Sequence, residues 1–212
     1  AFTSADVPKI LDLKPDLVLT FSDLQADIAA ELIRAGVQVL AFNQRSVAGI
    51  LEMIRALGAL TGTAGRAHAL CTRFEKRMQH LASKTHRSRP RVYFEEWDEP
   101  PISGIAWVSE LIEIAGGEDV FAHLRGEQGA KARILAPEDI LAAKPDIIIA
   151  SWCGKKVRPE RIAARPGWSD LPAVAQGRIY EIKSPLILQP GPAALTDGLD
   201  AIEAALWPEK EI

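Results

Sequence analysis

Residues 46–84 read SVAGILEMIRALGALTGTAGRAHALCTRFEKRMQHLASK, and their periodicity is that of two successive helices. From Thr63 to Lys84 the apolar residues Ala67, Leu70, Cys71, Phe74, Met78 and Leu81 recur at three- and four-residue steps, one stripe of a helix. Arg66, Arg73, Glu75, Lys76, Arg77 and Gln79 occupy the other faces. At roughly 1.5 Å per residue this rod is about 33 Å long. Ahead of it, Ser46 is placed to cap a helix whose inward residues are Ile50, Ile54 and Leu57, and Thr61-Gly62-Thr63 separates the two.

On either side of the rod one motif occurs twice. Residues 10–20 are ILDLKPDLVLT and residues 140–150 are ILAAKPDIIIA. Ile10, Leu11, Lys14, Pro15 and Asp16 return as Ile140, Leu141, Lys144, Pro145 and Asp146, each displaced by 130 positions. In both copies a short helix meets a proline stop, and a continuous apolar run follows, the mark of a strand covered on both faces. In the first copy a helix over Asp23–Ala35 ends at Gly36 and leads to a strand at Val37–Phe42. In the second, the helix over Arg158–Leu171 is broken near Pro166, and the strand is Arg178–Ile182. β-α-β units require parallel sheets with helices over them.

The expected fold is therefore α/β: two α/β lobes with mainly parallel sheets, joined by a single long α-helix. The expected parts are an N-terminal lobe at 1–45, a helix pair at 46–89 containing the interlobe helix 63–84, and a C-terminal lobe at 90–212. The second lobe opens with a strand at Val92–Phe94 and a helix at Trp107–Ala115, and closes with an amphipathic helix at Ala193–Leu206. Only nine residues stand before the first copy of the motif, so the first lobe is expected to be incomplete at its start.

Composition narrows the function. The chain has 212 residues, 48% hydrophobic and 25% charged, with a formal net charge of −3. No global basic field points to nucleic acid. The basic run KTHRSRPR at 84–91 reads as an exposed linker. No apolar run reaches the ~18 residues of a membrane span. Cys71 lies on the apolar stripe and reads as a core residue, whereas Cys153 sits in a turn. The histidines at 68, 80, 86 and 123 form no metal-ligand pattern, and no phosphate loop, Rossmann fingerprint or Gly-x-Ser-x-Gly elbow is present. Glu95 and Glu96 are adjacent carboxylates without an evident electrophilic partner. No enzyme, cofactor or resident metal is expected.

In open parallel sheets, ligands bind beyond the carboxyl ends of the strands. Those ends carry Phe21, Trp97, Trp107 and Trp152, four of thirteen aromatic residues, while Trp168 and Trp207 read as packing residues. If the two sheets face each other across the rod, these residues wall one cleft suited to a large, partly apolar ligand such as a macrocycle.

The stretches ILDLKPDLVLT, IRALGALTGTAGRA (54–67), SELIEIAGGEDVF (109–121) and PEDILAAKPDIIIA (137–150) carry a resemblance. The chain is similar over most of its length to the substrate-binding proteins of ABC importers for cobalamin, ferric siderophores and haem. EEWDEPPISG (95–104) and KSPLILQPGP (183–192) most resemble the cobalamin branch. The resemblance implies a non-enzymatic, periplasmic or cell-surface protein, monomeric when complete, that delivers cobalamin or a related macrocycle to an importer permease. It places Phe21, Trp97, Trp152 and Leu186 in the cleft wall, and implies that the rod limits lobe closure. It also implies docking to the permease through exposed acids, for which Glu160 stands in the second lobe and Asp23 or Asp27 in the first. A ferric siderophore or haem is the alternative cargo, for which Arg45 and Arg125 are the candidate anion partners. An enzyme or metal-handling protein on similar lobes is the alternative of another class.

Overall fold

The computed structural model describes residues 3–208. The chain divides into two compact units, Ala1–Gln44 and Arg45–Ile212.

In the first unit, α1 (Val7–Asp12) begins where the Asp6 carboxylate accepts the Lys9 amide at 3.1 Å, with Pro8 in the first turn. β1 (Val18–Phe21) runs parallel to β2 (Val39–Phe42), with Val18 opposite Val39 and Phe21 opposite Phe42. Between them lie a 3₁₀ turn at Asp23–Gln25 and α2 (Ala26–Arg34), closed by Gly36 at φ +84°. Leu32 is fully buried, but Leu19 and Ile33 are 47% and 61% exposed. The expectation of a strand covered on both faces is corrected here, because a two-stranded sheet with two short helices has too little surface to bury both sides.

The second unit opens with α3 (Val47–Leu60), whose Ser46 cap accepts the Gly49 amide at 3.1 Å and whose Val47 amide donates to Glu110 Oε2 at 2.6 Å. The rod is α4 (Ala64–Ala82), about 28 Å long at 1.5 Å per residue. Ala67, Cys71, Phe74, Met78 and Leu81 are buried, and Leu70 is half-buried. The rod packs on α3 and on α5 (Ala106–Ile114), so the helix pair belongs to the second unit and the division of the chain falls after Gln44. Gly58 makes the crossing possible: a Cβ there would collide with the Cβ of Ala67.

A five-stranded sheet follows. β3 (Arg91–Asp98) folds back as β4 (Pro101–Ser103), α5 (Ala106–Ile114) leads to the two-residue β5 (Glu118–Asp119), and α6 (Pro137–Ala143) leads to β6 (Ile147–Ala150). After α7 (Pro159–Ala163) and α8 (Pro172–Ala175) come β7 (Ile179–Glu181), α9 (Ser184–Ile187), a π-helical turn at Ala194–Gly198, and α10 (Leu199–Leu206). The order is β4-β3-β6-β7, with β5 beside β3, and only β4 is antiparallel. Alternation along the strands divides the core. Val92, Phe94, Ile147 and Ile149 pack with α3, α4, α5 and α10, while Tyr93, Ile148 and Ala150 pack with α6, α7 and Trp168. Each fully buried Ile or Phe contributes about 1.5–3 kcal/mol.

The repeated corner is repeated in geometry. Lys14 (φ +48°) and Lys144 (φ +45°) both take the left-handed conformation ahead of their prolines. A following proline disfavours the right-handed helical region, so neither helix can continue through its lysine. The basic run is tied down by its own chain: Lys84 pairs with Glu203 at 2.6 Å, Arg89 donates to the Gly117 carbonyl at 2.6 Å, and Arg91 pairs with Glu118 at 2.9 Å. Both cysteines are free, with Cys71 buried and Cys153 exposed.

Candidate functional site

The carboxyl ends of β3, β6 and β7 meet at one surface of the second unit. Trp97, near the end of β3, is half-buried, and its indole N–H donates to the Glu99 carbonyl at 3.0 Å. Trp152, two residues beyond β6, is 2% exposed. The Lys155 ammonium lies 5.3 Å from the Trp97 ring and 5.0 Å from the Trp152 ring, and pairs with Asp98 at 2.5 Å. One lysine thus brings the two tryptophans together by cation–π attraction. Beside them a hollow of about 330 Å³ is lined by Trp152, Lys155, Lys156, Glu181, Lys183 and Pro185. Burial acts to raise the Glu181 carboxyl, but hydrogen bonds from Lys183 (2.7 Å) and the Val157 amide (3.0 Å) outweigh it and hold the group below its usual range. Leu186, half-buried, lies in α9 just beyond this hollow.

Behind the wall stands a buried carboxylate. Glu95 is fully buried and accepts from the Tyr93 hydroxyl (3.0 Å), the Trp152 indole N–H (3.1 Å) and both Nη atoms of Arg165 (2.5 and 3.0 Å). The guanidinium in turn lies 4.6 Å from the Trp168 ring. Burial, reinforced by the Glu95 charge, pushes the Tyr93 hydroxyl well above its ordinary value, so it remains a donor. This network fixes the Trp152 ring from the core side.

Other residues named from the sequence lie elsewhere. Trp107 is 2% exposed and packs in the core on the opposite face of the sheet, where its indole N–H donates to the Ile187 carbonyl at 2.8 Å. Its place at a helix start does not bring it to the tryptophan pair, which lies with the other core cluster. Phe21, half-buried, closes β1 in the first unit and donates its amide to the Gln25 side chain at 2.8 Å. Asp23 and Asp27 are exposed on the same unit, and Glu160 is exposed in the first turn of α7. Glu95 and Glu96 point to different partners: Glu96 takes two hydrogen bonds from the buried Arg133, at 2.7 and 3.1 Å. Both carboxylates are consumed by arginines, so they form no catalytic dyad. Arg125 is held by Ser109 and Glu113 within the second unit. Among the described residues no cluster of three His, Cys, Asp or Glu side chains is arranged to hold a metal. No helix is long and apolar enough to cross a membrane among them.

Sequence reasoning missed Lys155 and the Glu95–Arg165 pair. An acid directly following the apolar run VYF was a signal for Glu95, but nothing local announces an arginine 70 residues away.

The family model for periplasmic binding proteins matches residues 1–186. A Bacillus subtilis protein named an uncharacterized ABC transporter substrate-binding lipoprotein is 24% identical over 97% of this chain and 66% of its own length. A cobalamin-binding protein of Halobacterium salinarum is 25% identical over 90% of this chain and 53% of its own length. The chain thus spans between about half and two thirds of these relatives. Among solved structures, the apo periplasmic haem-binding protein of a Roseiflexus species superposes with a TM-score of 0.77 at 24% identity, covering 97% of this chain and 82% of that one. That similarity shows a shared fold.

Proposed function

The chain belongs to the periplasmic binding protein family, and on that premise we propose that it captures a corrinoid outside the cytoplasm and delivers it to an ABC importer. The observation that carries this reading is the strand-end wall, where Trp97 and Trp152 are joined by Lys155 beside an open hollow. Flat aromatic surface removes a large apolar face from water without requiring a specific polar partner. The Halobacterium relative named for cobalamin agrees with that cargo. Trp97, Trp152 and Leu186 supply the wall on the second unit. Exposed Glu160, Asp23 and Asp27 are the acids offered to permease arginines. Binding rather than turnover is the activity, because the adjacent carboxylates Glu95 and Glu96 are committed to arginines and Asp98 and Glu181 to lysines.

A second cargo is favoured by one feature. Lys156 and Lys183 flank the hollow and suit an anionic ligand such as haem or a ferric siderophore. Titrating the full chain separately with cyanocobalamin and hemin, followed by tryptophan fluorescence, tests the choice. Saturable quenching by cyanocobalamin, with hemin at least about tenfold weaker, supports the corrinoid. The reverse order replaces it with the haem-like cargo, and quenching by neither overturns both.

A further inference from the structure

A larger cavity, of about 510 Å³, opens on the other side of Trp152, between the β3–β4 hairpin, the start of α6 and the segment after α7. It lies on the Tyr93–Ile148 face of the sheet, apart from the hollow between β6 and β7, with Trp152 as the shared partition. Leu141, Pro101, Pro137 and Pro166 give it apolar surface. Its floor is rigid, because Glu95 holds both Trp152 and Arg165, and Arg165 lies over Trp168.

The charges around this cavity do not balance internally. Arg165 is committed to Glu95, and Lys155 to one oxygen of Asp98. The other oxygen, Asp98 Oδ1, is buried without a hydrogen-bond partner on a residue that is nine-tenths buried. Leaving such an acceptor unmatched costs about 1–3 kcal/mol. Glu99 and Glu138 line the same cavity and pair with no cation among the described residues. Against these three acceptors only Arg161 brings an uncommitted positive charge.

We propose that this cavity is a second binding site, separate from the cargo wall, for a small organic cation with a flat apolar body. The body packs against Leu141 and the prolines at 101, 137 and 166. An amidinium, guanidinium or primary ammonium group donates to Asp98 and is balanced by Glu99 and Glu138. The volume falls in the range of small-molecule sites, which pair apolar walls with a few placed polar groups.

Three probes of one shape and different charge test it: benzamidine, benzyl alcohol and benzoate, titrated into the full chain by saturation-transfer NMR and calorimetry. Benzamidine is expected to saturate one site, with benzyl alcohol and benzoate each at least about tenfold weaker. Asp98→Asn is expected to weaken benzamidine about tenfold, and Leu141→Trp, which fills the cavity, to abolish binding. Should Asp98→Asn fail to fold, Glu138→Gln is measured in its place, with an expected loss of about threefold. No saturation by benzamidine, equal binding of benzoate, or indifference to both the charge and the cavity-filling substitutions overturns the proposal.

Discussion

Arg165 grips Glu95 with two hydrogen bonds, Nη1 to Oε2 at 2.5 Å and Nη2 to Oε1 at 3.0 Å, around a carboxylate with no solvent exposure. The pair joins the end of β3 to the segment following α7, and the same carboxylate holds the indole of Trp152. Removing one partner of a buried pair strands the other. Arg165→Ala is therefore expected to destabilise the second unit by about 3–5 kcal/mol, measured by urea denaturation. Arg165→Lys keeps the charge but loses the two-pronged geometry, and should fall between. A loss below about 1 kcal/mol for Arg165→Ala would show that the pair is not buried as described.

The contact between the first two helices of the second unit gives a cleaner test of packing. Gly58→Ala places a methyl group against the Ala67 Cβ, where there is no space for it. Overpacking of this kind costs about 1–3 kcal/mol. Ala67→Gly in the same chain removes the opposing methyl, so the double variant should lose less than the sum of the two singles. Strict additivity would contradict the close crossing.

Two tryptophans that look alike in the sequence should behave oppositely. Trp97 is half-buried at the wall, whereas Trp107 is in the core with its N–H on the Ile187 carbonyl. Trp97→Ala should weaken cyanocobalamin binding about tenfold or more while leaving the thermal midpoint nearly unchanged. Trp107→Ala should cost about 3–5 kcal/mol of stability, and Trp107→Phe, if folded, should bind as the parent does. Equal binding losses for Trp97→Ala and Trp107→Phe would remove the distinction.

What was legible in the sequence follows from range. Lys14-Pro15 and Lys144-Pro145 announce themselves because a proline constrains its immediate neighbour, and both lysines take the same left-handed turn. The stripe from Ala67 to Leu81 announces itself because helical period is local. The commitment of Trp107 to the core depends on Ile187, 80 residues on, and that of Glu95 on Arg165, 70 residues on. No pattern within a window carries such pairings. The far partner of the rod's buried stripe was hidden for the same reason: α3 is its neighbour in the chain, but α5 follows only after β3 and β4.

Asp119 gives a pH signature. Burial raises its carboxyl above the usual range, although Ser109, the Phe121 amide and Arg125 oppose the shift. A folded value above the unfolded one means that the group's contribution is fully present below the unfolded value and is lost as pH rises through the folded value. The stability of the parent relative to Asp119→Asn should therefore be greater near pH 3.5 than at pH 7, by chemical denaturation at each pH. A difference that does not change with pH, or grows with it, would contradict this reading of the Asp119 environment.

Equilibrium dialysis of the full chain against cyanocobalamin measures capture of a corrinoid at the aromatic wall. Saturable uptake approaching one ligand per chain is expected, with affinity at least about tenfold weaker in Trp97→Ala. Uptake that rises linearly without saturation, or that Trp97→Ala leaves unchanged, would contradict it.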